Sequence, residues 1–387
     1  PVSLATGAIS VTTTNDNITF NDTINGTRAL TLVAGTGTTT IQGEIGGSSA
    51  LASLTITNGT ANGAIEIANI GGVTGATAIG NTNTGTITLD GTAYSTAGTQ
   101  TYTAAAGQNI DITGAATFTT TNDNVSFATS GVDLANNGTT TINTGTAGGT
   151  VSFGGAIEGN TAGAPFNDLL VITSGTGDVT FSGAIGATNA LGGLSVNASS
   201  GDGNITFSST IGDTSNPGVV GTTSIGNTDT ADLNFNAATY SFDGGTTTIT
   251  AASGDTIDMG ALADTSFTTA ADNITFATGT IELLNGSNLT VDTGATGGDI
   301  TIASIAGTSV ETVTLDAGTG ALSVGAIGSG TEIGAVTLGS TDDGTITLNG
   351  AIKADAAVSI TGPVSLATGA ISVTTTNDNI TFNDTIN

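Results

Sequence analysis

The sequence predicts an all-β protein, a right-handed parallel β-helix (β-solenoid) with about 15 coils per 362-residue tandem unit. Three observations lead to this fold class. Short apolar triplets of the kind that form strands recur about every 24 residues along the chain. Charged residues make up 9% and aromatic residues 4% of the chain, whereas Gly accounts for 60 residues, a composition typical of short strands and tight turns. The stretch at 1–25 also returns unchanged at the end of the sequence.

The shortest repeat has the length of one coil. The triplet at 30–32 returns at 54–56, and the triplet at 289–291 returns at 313–315 and 336–338. One coil cannot bury its own apolar face, but stacked coils cover one another. Because strand residues alternate between two sides, Leu289 and Val291 are predicted to point inward and Thr290 outward. The same alternation predicts an internal column of stacked rings formed by Phe153, Phe181, Phe207 and Phe235.

The longest repeat defines the predicted domain organisation. Residues 1–25 recur at 363–387, an offset of 362. Residues 1–362 are therefore interpreted as one tandem solenoid unit, and 363–387 as the start of the next identical unit, with no separate globular domain. Because the chain starts at Pro1 without Met or a signal peptide, it is interpreted as a piece of something longer.

An intermediate repeat divides the tandem unit into three related modules. The motif Asn-Asp-Asn-Ile-Thr-Phe and its variants end at Phe20, Phe127, Phe276 and Phe382. These positions give modules of about 107, 149 and 106 residues, and the extra length of the middle module is interpreted as about two coils. An array of β-sandwich domains of about 100 residues is the alternative fold. It would explain the first and third modules but not the longer middle one.

Composition excludes several classes of function. The net charge is −29, and Arg28 and Lys353 are the two basic residues, which argues against binding to nucleic acid or to an anionic membrane. No run of about 18 apolar residues is present, so no transmembrane helix is predicted. The absence of Cys fits an extracellular bacterial protein. Pro165 and Pro217 fall in the two longest stretches between strands and are predicted to lie in loops.

Phrases such as LTLVAGTGTTTIQGEIGG and VITSGTGDVTFSGAIG resemble the repeats of large bacterial surface proteins. These are the filamentous-haemagglutinin-like adhesins and the autotransporter-type β-strand-repeat proteins, and the resemblance covers essentially the whole chain. It implies secretion across the outer membrane of a Gram-negative bacterium, a parallel β-helix shaft, and a role in adhesion, biofilm or surface coating. The identical tandem unit departs from the more variable coils of an adhesin shaft and favours a structural filament.

A search for catalytic chemistry gives no candidate residues, and the chain is predicted not to be an enzyme. Polysaccharide lyases on β-helices need a basic residue beside carboxylates, and neither Arg28 nor Lys353 lies in an acidic cluster of the sequence. Sugar-binding grooves need aromatic platforms, whereas Trp is absent and Tyr94, Tyr102 and Tyr240 are the three tyrosines. Asn-x-Thr triplets are expected from the composition and are not interpreted as glycosylation sites.

Metal binding and ice binding are the remaining hypotheses about sites. The Asn-Asp-Asn triplets at 15–17, 122–124 and 377–379 offer oxygen ligands suited to Ca²⁺. A turn in which these side chains bind the local backbone is the favoured interpretation, so no metal and no cofactor is predicted. Thr-x-Thr pairs would form an ice-binding rank only if they stacked on one face, and their coils are irregularly spaced. These pairs are Thr55 with Thr57, Thr86 with Thr88, and Thr345 with Thr347.

The predicted function is that of a structural building block of an extracellular bacterial filament or surface fibre. Its predicted partners are copies of itself or neighbouring repeats, stacked end to end, with lateral filament contacts or a host or cell surface as further partners. The alternative is a rigid shaft of a secreted adhesin that presents a distal binding domain. A solenoid that binds ice or polysaccharide is a minor alternative.

Overall fold

The computed structural model describes residues 1–59, 62–134, 138–159, 166–198, 203–260, 264–284, 286–308, 310–340, 344–367 and 369–387. In these ranges the regular secondary structure consists of short β-strands and isolated bridges, without helix. Neighbouring strands pair in parallel, with partners about one coil apart in sequence. The chain therefore folds as a parallel β-solenoid of about 15 turns, as the sequence predicts.

The chain divides into two compact units, each of which is a stack of coils. The first unit comprises Pro1–Gly192 and Val196–Gly203, and the second comprises Gly193–Ser195 and Asn204–Asn387. In each unit a coil contributes strands or single bridges, in order, to three ladders that we call faces A, B and C. The strand Gly193–Asn197 belongs to face A and has residues in both units.

The strands of the first unit group by face as follows. Face A contains Val2–Leu4, Ile24–Gly26, Ala93–Ser95, Thr117–Thr119, Thr139–Asn143 and Leu169–Thr173, with bridges at Ile45 and Ile70. Face B contains Ile9–Thr12, Ala29–Val33, Ser53–Thr57, Thr77–Gly80, Gln100–Thr103, Val125–Phe127, Val151–Phe153 and Val179–Phe181. Face C contains Ile18–Phe20, Thr39–Ile41, Ile65–Ile67, Ile87–Leu89, Asn109–Ile112, Gly131–Leu134 and Ile157–Glu158, with a bridge at Ile185.

The second unit repeats this arrangement. Face A contains Thr223–Ile225, Thr247–Ile249, Ile274–Phe276, Ile346–Leu348 and Val364–Leu366, with a bridge at Ile386. Face B contains Ile205–Phe207, Leu233–Phe235, Thr256–Met259, Thr280–Leu283, Ile352–Ala354 and Val373–Thr375. The strands Ile300–Ala306 and Leu322–Ile327 turn the corner and pair on both faces. Face C contains Thr239–Ser241, Thr265–Thr268, Leu289–Asp292, Val313–Asp316, Val336–Leu338, Val358–Ile360 and Ile380–Phe382, with a bridge at Ile211.

Side chains alternate between the core and the surface along nearly every strand. In Leu289–Asp292, the side chains of Leu289 and Val291 are buried and that of Thr290 is half-buried, which confirms the predicted orientation. Apolar residues on the inner side of each coil pack on those of the next, so the core of each unit runs along its stack. The core is therefore formed between successive coils of one stack rather than between two separate layers of secondary structure.

Aromatic rings stack inside both units. On face B of the first unit, the ring centroids of Phe127 and Phe153 are 5.0 Å apart and those of Phe153 and Phe181 are 5.4 Å apart. On face B of the second unit, the centroids of Phe207 and Phe235 are 5.2 Å apart. The predicted stacking is therefore present within each unit. Each stacked pair adds about 0.5–1.5 kcal/mol beyond the burial of area.

Glycine permits close contact between coils at a repeated corner. In the sequence Ala34 to Thr38, Gly35 has a φ of +60°, and a Cβ placed on it would lie 1.6 Å from the carbonyl oxygen of Thr14 in the preceding coil. Gly175 and Gly318 occupy equivalent Gly-Thr-Gly turns with φ values of +59° and +52°. A larger residue at any of these corners would separate two coils.

The copies of the motif lie on different ladders, and the three related modules stay a prediction from the sequence. The motif phenylalanine is on face C at Phe20, on face B at Phe127, on face A at Phe276 and again on face C at Phe382. Within the first unit, the step from Phe20 to Phe127 therefore combines whole coils with a change from face C to face B.

The interpretation of the extra length of the middle module as two coils is wrong. Counted over the strands and bridges of the described residues, the middle module exceeds each of the others by three positions, which is one coil. The rest of the extra length goes into longer coils. Ile142 pairs with Ile172 across one long coil, whereas Ile346 pairs with Val364 across a much shorter one. Pro217 lies in a loop, as predicted, and Pro165 lies outside the described residues.

Candidate functional site

The two end segments of the chain have the same sequence and contribute to the same three ladders, although the face B strand is Ile9–Thr12 in the first copy and Val373–Thr375 in the second. The first copy, residues 1–25, contributes strands to faces A, B and C, and the second copy, residues 363–387, does the same. The first copy is followed by another coil, and the second is preceded by one. One coil sequence is therefore seen in two environments, which reveals the contacts on both of its sides.

The side of the first copy that faces the following coil is covered. Leu4 is 6% exposed and Ile24 is fully buried because the next coil packs over them. In the second copy the equivalent Leu366 is 44% exposed and Ile386 is 51% exposed. The second copy thus presents an apolar side of the kind that a following coil covers in the first copy.

On the side that faces the preceding coil, the second copy is covered and the first copy is exposed. Val364 is 1% exposed because it pairs with Ile346 in the preceding coil, whereas the equivalent Val2 is 37% exposed. The amide of Ile346 donates a hydrogen bond of 2.8 Å to the carbonyl oxygen of Pro363. Among the described residues, the equivalent carbonyl of Pro1 accepts no hydrogen bond. The exposed side of each copy is therefore complementary to what covers the other.

Asparagine side chains add a second set of bonds between coils. In each of these contacts, which we call the Asn bridges, the Oδ1 atom of an Asn that precedes a strand accepts the backbone N–H of the equivalent residue in the next coil. The side chain of Asn379, the equivalent of Asn17 in the second copy, forms no hydrogen bond with the described residues. The pairs are Asn17 with Thr38 at 2.9 Å, Asn124 with Thr150 at 2.9 Å, Asn273 with Asp299 at 2.8 Å and Asn288 with Thr312 at 2.7 Å.

These contacts correct the prediction for the Asn-Asp-Asn triplets. The triplets do lie in bends before strands, as predicted. Asn17, Asn122 and Asn124, however, accept backbone N–H groups of the next coil rather than of the local turn; the Oδ1 atom of Asn122 accepts the N–H of Ala147 at 2.9 Å. The Oδ1 atom of Asn15 accepts the hydroxyl of Thr36, which also lies in the next coil, at 3.0 Å. The signal that sequence reasoning missed is the recurrence of Asn or Asp directly before an inward-facing residue at intervals of one coil.

Outward-facing Ser and Thr side chains line up along three ladders, and we call each such row a rank. On face B of the first unit, the register aligns eight residues that are Ser or Thr except for one Ala, namely Ser10, Thr31, Thr55, Ala78, Thr101, Ser126, Ser152 and Thr180. In the second unit, the rank on face A is Ser224, Thr248, Thr275, Thr301, Ser323, Thr347 and Ser365, and that on face C is Thr239, Ser266, Thr290, Thr314, Thr337, Ser359 and Thr381. Sequence reasoning did not detect these ranks, because the coils that align them differ in length.

The predicted Thr-x-Thr pairs do not share a rank. Thr55 and Thr57 lie on face B and Thr88 on face C. Thr347 lies on face A, in the second unit. These pairs therefore form no regular double row of the kind expected of an ice-binding face.

Acidic side chains concentrate on one face of the first unit. On face C, Asp111 stacks on Asp133, and Asp133 stacks on Glu158. Burial raises the pKa of Asp111, and the neighbouring Asp133 raises it further. In the related sequence of the middle module, the pKa of Asp258 is likewise raised by burial and, to a smaller extent, by Asp232. Like charges are thus held one coil apart.

Among the residues that the structure describes, basic and acidic side chains are not brought together. Arg28 and Lys353 are exposed, and neither forms an ion pair with a carboxylate of the described residues. Within the same ranges there is no group of three His, Cys, Asp or Glu side chains that could hold a metal ion. A shallow groove beside the Pro217 loop contains one carboxylate, that of Asp243, and is otherwise lined by uncharged residues at 214–217, 241–242 and 268–270.

One buried carboxylate escaped the sequence analysis. Glu311 is fully buried, and its carboxylate accepts the backbone N–H groups of Gly286 at 3.1 Å, Thr308 at 2.9 Å and Val310 at 3.1 Å. The Thr308 hydroxyl also donates to it. These donors, from Gly286, Thr308 and Val310, tie two segments of the chain together through the Glu311 carboxylate.

No protein-family model matches the chain, and neither does any curated protein or solved structure. The fold therefore rests on the strand pairing described above, and the resemblance to filamentous-haemagglutinin-like proteins stays a prediction. The described residues contain no helix with the length and hydropathy needed to span a bilayer.

Proposed function

We propose that the chain is a structural, non-catalytic building block of an extracellular bacterial fibre in which solenoid units stack end to end. The observation that carries this proposal is the pair of identical end segments. Each copy leaves exposed the side that the other has covered, as Val2 and Ile386 illustrate. A tandem repeat of the unit would cover both sides with contacts already present in the chain.

The mechanism of such a fibre is mechanical. Hydrogen bonds between coils run along the fibre axis, and the buried apolar columns beneath them keep water from those bonds. The Asn bridges add side-chain bonds in the same direction at the corners. Pulling on the fibre therefore loads many bonds between coils at once. The net charge of −29 favours a solvated fibre that does not precipitate.

Electron microscopy and fibre diffraction of the native material test this proposal. Coils spaced about 4.8 Å apart give a strong axial reflection at that distance. Fifteen coils give an axial repeat of about 72 Å, and long uniform filaments with this period are the expected result. Short rods that end in a globular tip would favour the adhesin shaft instead. Beads about 35–45 Å apart would contradict the solenoid fibre itself.

A further inference from the structure

We propose that two copies of this chain associate side by side through face B of the first unit, with the two ladders running in opposite directions. The contact goes beyond the proposed end-to-end fibre, since it lies on the side of the coils rather than at either end of a stack. The occupant of the face is a second copy of the chain. All of the residues that form the contact lie between positions 28 and 182, inside the first unit.

The strands of face B in the first unit carry no charged side chain. Its eight strands contain no Asp, Glu, Lys or Arg, although the whole chain has 31 acidic residues. On face C, by contrast, Glu66, Asp111, Asp133 and Glu158 lie in one outward row. On face A, two coils contribute single bridges instead of strands. Because like charges repel, face B is the long side on which two copies approach at the lowest electrostatic cost.

The outward side chains of face B are small, and several carry hydroxyl groups that are not used within the chain. The rank contains Ser, Thr and one Ala, so a second sheet can approach to the distance of about 10 Å at which β-sheets pack face to face. Thr31, Thr55, Thr101 and Thr180 are half-buried. Their hydroxyls form no hydrogen bond with the described residues. A second copy of the same rank supplies both donors and acceptors for them.

Two exposed charges at the edge of face B set the relative direction of the two copies. Arg28 directly precedes the strand Ala29–Val33, and Asp178 directly precedes Val179–Phe181, so both lie at the same edge of the ladder. The strand Gln100–Thr103 is the third from each of these two strands. A two-fold axis along Gln100–Thr103 therefore brings Arg28 of each copy to Asp178 of the other. Two ladders that run in the same direction would not form these pairs.

The two-fold arrangement also leaves no carboxylate facing another across the contact. Thr101 lies on the axis and faces its own counterpart. Asp123, near the same edge, faces the uncharged coil that contains Thr77–Gly80. The contact is about 34 Å long and about 13 Å wide, and it buries roughly 900 Å² in total. This area is below the ~1,200–2,000 Å² of a stable complex, so one contact is weak, whereas a fibre that repeats it in every unit is held firmly.

Sedimentation equilibrium of the full chain tests the contact at about 0.15 M salt, where the net charge is largely screened. We expect a monomer–dimer equilibrium with a dissociation constant on the order of 0.1 mM. Thr101→Asp places two carboxylates against each other on the axis and should raise that constant at least about tenfold. The matched control is Thr347→Asp, which adds the same charge to a Ser/Thr rank of the second unit, between Ser323 and Ser365, and should leave the constant unchanged.

Reversal of the edge charges tests the opposite direction of the two ladders. Arg28→Asp and Asp178→Arg should each weaken the dimer about tenfold, because each creates two pairs of like charges. The chain that carries both substitutions has two pairs of opposite charges again, and it should regain the parent dissociation constant within about threefold. Circular dichroism verifies that every variant retains its β-structure.

Three results would overturn the proposal. The first is a parent chain that stays monomeric up to about 1 mM. The second is equal weakening of the dimer by Thr101→Asp and Thr347→Asp, which would mean that face B of the first unit is not the contact. The third is a double variant as weak as Arg28→Asp alone, which would contradict the pairing of Arg28 with Asp178. None of these results would change the axial repeat of the native fibre, so the proposed function would stand in each case.

Discussion

The two copies of the end repeat differ in burial although they do not differ in sequence. Ile24 is fully buried, whereas the identical Ile386 is 51% exposed. Val2 is 37% exposed, whereas Val364 is 1% exposed. The local sequence sets which way each side chain points, but the neighbouring coil decides whether that side chain is buried. A solenoid coil therefore supplies only part of a hydrophobic core, and its stability depends on both adjacent coils.

The largest expected difference between the copies comes from removing a core side chain. Ile24→Ala should lower the free energy of unfolding of the first coils by about 2–5 kcal/mol, because it leaves a cavity between packed coils. Ile386→Ala should cost below about 1 kcal/mol, since half of that side chain already meets water. Hydrogen exchange of the amides in the end coils measures the two opening free energies separately.

The identical sequence makes Ile386→Ala a matched control for Ile24→Ala, because strand propensity and the preceding residues are the same. Equal losses of protection in the two variants would contradict the view that burial by the next coil sets the stability of this segment. A larger loss of protection in Ile386→Ala than in Ile24→Ala would mean that the exposed copy depends on this side chain more than the buried copy does.

A smaller difference is expected from the Asn bridges. Asn17→Ala removes the acceptor of the Thr38 N–H at 2.9 Å, and should destabilise the junction of the first two coils by about 1 kcal/mol. Asn379→Ala should have almost no effect, because its side chain forms no hydrogen bond with the described residues. The exchange rate of the Thr38 amide is the direct measurement. An unchanged rate in Asn17→Ala would mean that the bridge contributes nothing to stability.

The sequence predicted the coil, the inward residues and the stacked phenylalanines, because each depends on a short period or on strict alternation within a strand. It did not predict the face on which a module lies. Coils differ in length, as the pairing of Ile346 with Val364 and of Ile142 with Ile172 shows. The spacing of Phe20 and Phe127 along the chain therefore does not reveal that they occupy different faces. The Asn bridges were missed for a similar reason, since their partners lie one variable coil away.

The first and middle modules also place an equivalent carboxyl group in a similar environment on different ladders. Asp111 on face C and Asp258 on face B occupy equivalent positions in related sequences, and burial raises the pKa of both carboxyl groups. Their acidic neighbours are different residues, Asp133 and Asp232. The strands of the end copies carry no acidic residue, so stacked carboxylates of this kind lie in the coils between them.

The smallest expected effect is therefore a change in pH dependence. Because the pKa of Asp111 is raised in the folded state, folding favours its protonated form. Its contribution to stability is fully present below the unfolded-state pKa of about 3.9 and is lost as the pH rises through the folded-state value. Asp111→Asn removes this loss, and should raise stability at neutral pH by about 0.5 kcal/mol or less after screening by solvent.

Denaturant unfolding of Asp111→Asn and of the parent chain between pH 3 and 7 measures this effect. The sign of the difference in unfolding free energy is the informative result. The difference between the two should be largest at neutral pH and should disappear towards pH 3. Thr88→Asn, at the neighbouring outward position of face C, is the control and should leave the pH dependence unchanged. A variant that is less stable than the parent at neutral pH would mean that the carboxylate of Asp111 has a stabilising partner, and that stacking like charges one coil apart carries no cost here.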